Sequence, residues 1–138
     1  MSMASTEHAH PAAAAFRAAV ENSDMEAGIE LLAPDIVFHS PVTFHPFVGR
    51  ETVAALLRLV ADTFEDFRYT DDLPGEEVHA MIFRARIGDR EVEGLDLIRS
   101  GPDGRIADFT VMVRPLTGVV ALAEAVGPQL AAAEDAPA

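Results

Sequence analysis

The stretch Arg90–Ile106, REVEGLDLIRSGPDGRI, decides the fold. Read as two strands around the turn SGPDG, its first arm alternates, with Val92, Gly94 and Ile98 on one parity and Glu91, Glu93 and Arg99 on the other. Such a period of two marks a strand with one buried face. Asp96 falls in the apolar row, where an unpaired carboxylate costs several kcal/mol. Two explanations are open. In an apolar cavity the charged form is disfavoured, so the pKa rises and the neutral acid can donate a hydrogen bond to a carbonyl or a forming enolate. Alternatively, Asp96 pairs with a buried arginine such as Arg84, Arg86 or Arg114, or accepts backbone N–H bonds, and is purely structural.

Working outward, the same period places strands at about 67–71, 77–87, 90–99 and 105–114, with turn signals at LPGE, Gly88-Asp89 and GPDG. Links this short require antiparallel neighbours. On the N-terminal side the period is helical. Pro11 suits a first turn, and Phe16 and Val20 share a face of a helix ending near Asn22. Ser23 or Asp24 caps a second helix with Met25, Ile29 and Leu32 as its stripe, ended by Ala33-Pro34-Asp35. DIVFHSPV reads as a strand broken or bulged at Pro41, and TFHPFVGR as a loop. The third helix, GRETVAALLRLVADTFEDF, sets Val53, Leu56, Leu57, Val60 and Phe64 on one face. A short helix from Thr117 is expected to lose regularity at Gly127-Pro128. The division is therefore a mobile start over 1–10, one domain over 11–126 and a frayed tail over 127–138. Helices first and strands afterwards give an α+β domain, with helices on one face of a curved sheet and a cavity at its open end.

The 138 residues suit a single core. With ten arginines and lysines against 23 acidic residues, the formal charge is −13, which repels nucleic acid and anionic membranes. No cysteine is present, so disulfides, thiol nucleophiles and thiolate metal sites are excluded. Glu7, His8 and His10 interrupt any signal-like run, and no segment is read as a membrane span of roughly 20 apolar residues, so the cytoplasm is expected. The histidines form no metal-binding spacing, and there is no phosphate loop or nucleophile elbow. No metal and no cofactor is expected.

Three strings carry a resemblance: FRAAVENSDMEAGIELLAPDIVFHSPV, VGRETVAALL and EGLDLIRSGPDGRIADFTVMVRPL. In this order, over roughly residues 12–115, the chain resembles the nuclear transport factor 2-like superfamily, particularly its ketosteroid isomerase and SnoaL-like polyketide cyclase branch. The resemblance implies a cone of curved antiparallel sheet wrapped around three helices, a pocket in the wide mouth, and frequent dimerisation through the sheet. It also places Asp96 where ketosteroid isomerases keep an acid neutral in an apolar site. Two positions depart from that pattern: Ser40 stands where the isomerase has its general-base aspartate, and Phe16 where it has a tyrosine. Fold alone assigns no chemistry here.

His39 is the replacement base to consider, since imidazole titrates near neutrality. Strand parity turns His39 and Ser40 to opposite sides unless Pro41 introduces a bulge. His45 and His79 read as surface or packed groups. Asp108 and Arg114 could join Asp96 in the Asp and Arg arrangement of epoxide-hydrolase-like relatives, or form a solvated pair. Phe16, Phe38, Ser40, Tyr69, Phe83 and Phe109 are the expected pocket lining, with the Tyr69 hydroxyl as a second donor. The functional expectation is a small-molecule protein taking an apolar, carbonyl-bearing compound, with Asp96 and His39 as its acid and base for isomerisation, cyclisation or hydration. The alternative is a ligand-binding or dimerisation domain without catalysis. Leu95 and Leu97, between charges on the second strand face, point to a homodimer.

Overall fold

Pro11 opens helix α1 (Pro11–Glu21), where its missing N–H breaks no helical bond. Ala12, Ala13, Phe16 and Ala19 form the buried stripe of that helix. The computed structural model describes residues 10–135, so the expectation of a mobile start concerns residues almost wholly outside the described ones. Asp24 caps α2 (Met25–Ile29) by accepting the Ala27 N–H at 3.2 Å. Strand β1 (Leu32–His39) begins earlier than expected, running through Ala33-Pro34-Asp35, and stops just before Ser40-Pro41. A two-residue strand β2 (Phe47–Val48) occupies the segment expected to be a loop. Helix α3 (Arg50–Thr63) buries Val53, Ala54, Leu56 and Leu57, and the Arg50 guanidinium bonds the Leu32 carbonyl with Nε at 3.0 Å.

Strands β3 (Glu65–Pro74), β4 (His79–Ile87), β5 (Arg90–Ser100) and β6 (Ile106–Arg114) form the expected antiparallel run. The β4–β5 turn is Gly88-Asp89, with Gly88 at φ 62°, so Ile87 pairs with Arg90. That register sets Met81 opposite Asp96 and Phe83 opposite Gly94. The sheet order is β2-β1-β6-β5-β4-β3, and the sheet is curved and unclosed, as in the cone fold. It is not antiparallel throughout. β1 lies parallel to β6, pairing Phe38 with Phe109; the chain between them crosses the whole fold, so no short link constrained their direction.

The tail is the larger correction. Helix α4 (Leu116–Asp135) runs straight through Gly127-Pro128. Leu122, Val126 and Leu130, four residues apart, are buried on one stripe that spans the proline. Packing of that stripe on α3 and the sheet offsets the one backbone hydrogen bond Pro128 removes. Also contrary to expectation, Leu116–Ala133 is long and apolar enough to cross a membrane by length and composition, with mean hydropathy 1.4. In the fold its apolar stripe is turned inward.

Leu130→Ala tests this docking. Loss of a buried leucine costs about 2–5 kcal/mol, so the denaturant midpoint should fall clearly. A change within about 0.5 kcal/mol, the range of surface sites, would show that the helix beyond Pro128 is not packed.

Candidate functional site: an aromatic cavity around Asp96

Sheet curvature leaves a cavity of about 780 Å³ between the inner face and the helices. Phe16 enters it from α1, Phe38 from β1 and Phe109 from β6. These three rings pack edge to face, with centroids 5.1 Å apart for Phe16 and Phe109 and 5.6 Å for Phe38 and Phe109. Tyr69 and Phe83 line the same space from β3 and β4, and Ser40 lies at its border. All six residues expected as lining therefore meet around one cavity. Sequence reading missed the wall supplied by Leu122, Val126 and Leu130 of α4, because the helix was expected to break. It also missed Phe64 and Phe67 as lining; for Phe67 the signal was its shared parity with Tyr69.

Asp96 projects into this apolar enclosure and is 5% exposed. The Tyr69 hydroxyl donates to its Oδ2 at 2.8 Å. None of the three arginines considered as partners reaches it. Arg84 and Arg114 pair with Glu93 at 3.2 and 3.1 Å, and Arg86 with Asp66 at 2.9 Å. Burial pushes the Asp96 carboxyl from 3.8 up to about 7, and the Tyr69 hydrogen bond offsets only part of that rise. Tyr69 is itself held protonated, first by burial and then by the adjacent carboxyl. Its hydroxyl is thus committed to Asp96 rather than free as a second donor. The Arg17 guanidinium, 5.5 Å from the Tyr69 ring centroid, covers the ring from outside.

The neutral acid has a defined orientation. With Oδ2 accepting from Tyr69, the acidic proton belongs on Oδ1, which has no hydrogen-bond partner among the described residues.

The other expected groups lie elsewhere. His39 does not face the cavity; it sits on the outer sheet face with Nε2 3.1 Å from Asp108 Oδ2. Parity decides this outcome, because β1 ends before Pro41 and Phe38 takes the inward position. Asp96 and His39 therefore do not form an acid and base pair across one space. Asp108 and Arg114 likewise do not converge on Asp96. Ser40 spends its hydroxyl in a turn, accepting from Val42 N and Thr43 N at 3.2 Å each. His45 is exposed, whereas His79 is packed, with Nε2 2.6 Å from Asp72 Oδ1. Among the described residues, no three His, Asp or Glu side chains are disposed to hold a metal.

A raised folded pKa has a definite sign in stability. The unfolded carboxyl loses its proton near 3.8 and the folded one near 7, so this group's contribution is full at low pH and declines as pH rises through that window. At about 1.4 kcal/mol per pKa unit, the decline amounts to several kcal/mol. Asp96→Asn removes it while keeping an acceptor for Tyr69. The difference in melting temperature should therefore shift in favour of Asp96→Asn as pH rises from about 4 to about 8. A pH-independent difference, or the opposite trend, contradicts the neutral-acid assignment.

Comparison with known proteins agrees with this architecture. The SnoaL-like domain model matches residues 13–113. A steroid delta-isomerase from Pseudomonas aeruginosa is 39% identical, with 93% of this chain and 95% of that one covered and a TM-score of 0.82. A protein with a cystatin-like fold from Silicibacter pomeroyi DSS-3 is 33% identical over 88% of this chain and 86% of its own, also with a TM-score of 0.82. At 16% identity, covering 81% of this chain and 94% of the other with a TM-score of 0.65, an epoxide hydrolase/cyclase-like enzyme of pyran ring formation in salinomycin shares the fold. No curated protein matches significantly. With a matching domain model over most of its length and the same cone of sheet and helices, the chain belongs to the SnoaL-like domain family of the nuclear transport factor 2-like superfamily.

Proposed function

We propose that the cavity binds an apolar, carbonyl-bearing small molecule whose oxygen accepts a hydrogen bond from Asp96. The supporting observation is the Tyr69–Asp96 pair, which leaves one acidic proton facing a space walled by phenyl rings. A volume of about 780 Å³ suits a compound of several fused rings. The similar Pseudomonas aeruginosa protein is a steroid delta-isomerase, and a ring ketone has the polarity this cavity favours. A carboxyl that titrates near 7 populates both of its forms at neutral pH, so Asp96 alone can give a proton to one atom and take one from another. Isomerisation, cyclisation and hydration all need such a transfer.

The second reading, binding without catalysis, is favoured by one observation: His39 lies outside the cavity, and Glu21, Asp62 and Asp66 on its border are solvent-exposed. Deuterium exchange at the α-carbon of a bound ring ketone, followed by proton NMR in D₂O, separates the two. Catalysis by Asp96 predicts accelerated exchange that Asp96→Asn lowers by about 100-fold or more. Saturable binding with exchange at the uncatalysed rate would leave a binding domain.

We further propose a homodimer in the cytoplasm formed through the outer sheet face. There Leu95 pairs with Met112 and Ile82, and Met112 is 52% exposed beside half-buried Leu97. Light scattering should give a mass near twice 14.8 kDa, and a monomer at micromolar concentration would contradict the dimer.

A further inference from the structure

Gly94 and Phe83 face each other directly across β4 and β5, both on the inner face and both buried. A Cβ placed on Gly94 would overlap Cζ of Phe83 and stand 2.7 Å from its Cε1. The ring therefore lies in the volume a side chain at position 94 would occupy. It is held there from the other side: Phe67 stacks on it at 4.6 Å with planes 26° apart, and Phe64 meets it at 5.6 Å and 61°. Phe83 is 1% exposed and lines the cavity, so the open space beside the ring is that of the cavity. Asp96 is two residues along the same strand face from Gly94, opposite Met81, so whatever moves Phe83 moves the wall beside the acid.

We propose that Gly94 is the specificity-determining position of this cavity: by having no Cβ it lets the Phe83 ring lie back against the strand, and the depth opened beside Asp96 admits a fused-ring ketone rather than only a small one. This rests on the carbonyl-binding reading of the site. The relevant quantity is how far the ring system extends beyond the carbonyl. An alanine at 94 drives the phenyl edge into the space where the ring system next to the bound carbonyl must lie, while a ligand of one small ring still reaches the Asp96 proton.

The test is calorimetric titration of the intact protein with cyclohexanone and with 2-acetylnaphthalene. Gly94→Ala should weaken 2-acetylnaphthalene by about tenfold or more, the scale of a one-carbon misfit in an apolar pocket, and leave cyclohexanone within about twofold. Gly94→Ala/Phe83→Leu should restore the larger ketone, because the shorter side chain clears position 94. Equal weakening of both ketones, no weakening, or no restoration in the double variant overturns the proposal. If Gly94→Ala does not fold, Phe83→Leu carries the test. It should bind the longer 2-acetylanthracene about tenfold more tightly than the parent protein does, and an unchanged affinity overturns the proposal. Failure of the parent protein to bind any of these ketones instead removes the carbonyl-binding reading and this inference with it. Equal binding by the parent and Gly94→Ala removes the inference alone.

Discussion

Everything in the cavity depends on the burial of one carboxyl group. Asp96 occupies an inward position of β5 between Gly94 and Ile98, with Met81 opposite and phenyl rings around the space it faces. Strand parity leaves the side chain no other direction. Burial in apolar surroundings favours the neutral form, and Tyr69 supplies the hydrogen bond that keeps Oδ2 from being left unsatisfied. An arginine at that point would have made an ion pair and abolished the donor. The arginines of β4 and β6 instead lie on the outer face with Glu93 and Asp66.

The rest of the fold serves this enclosure in a traceable order. Curvature opens the sheet, α1 brings Phe16 against Phe109, and α4 closes the far side with one stripe of aliphatic residues. Phe67 carries two tasks, stacking on Phe83 and meeting the Tyr69 ring edge to face at 5.1 Å, 87°. The hydroxyl that orients Asp96 is thus positioned by the same aromatic layer that dries the site. A membership shared by isomerases and cyclase-like proteins follows the cone, whereas chemistry follows whichever polar groups are set inside it.

Local patterns were legible in the sequence; long-range pairings were not. Alternation over residues 90–106 placed Asp96 on the buried face, and glycine turns fixed the antiparallel run. Strand parity likewise bears on Phe38, Phe83 and Phe109, whereas Phe16 comes from the helical spacing it shares with Val20. His39 was the weak point: parity already opposed its sharing a face with Ser40, but whether Pro41 bulged the strand depended on where β1 stopped against β2 and β6. The bond from the Tyr69 hydroxyl to Asp96 is not legible locally, because the two residues lie 27 apart on strands that are not neighbours. In α4, local propensity at Gly127-Pro128 argued for a break, and tertiary packing of Leu130 overrode it.

The central claim is that burial keeps the proton on Asp96 far above the ordinary carboxylate range, and its own titration tests this most directly. Carbon-detected NMR of the Asp96 side-chain carboxyl, followed across the acid and neutral range, should give a midpoint near 7. A midpoint at or below 3.8, the ordinary value, would mean that the group is charged in the folded protein, contradicting both the donor role and the cavity chemistry built on it.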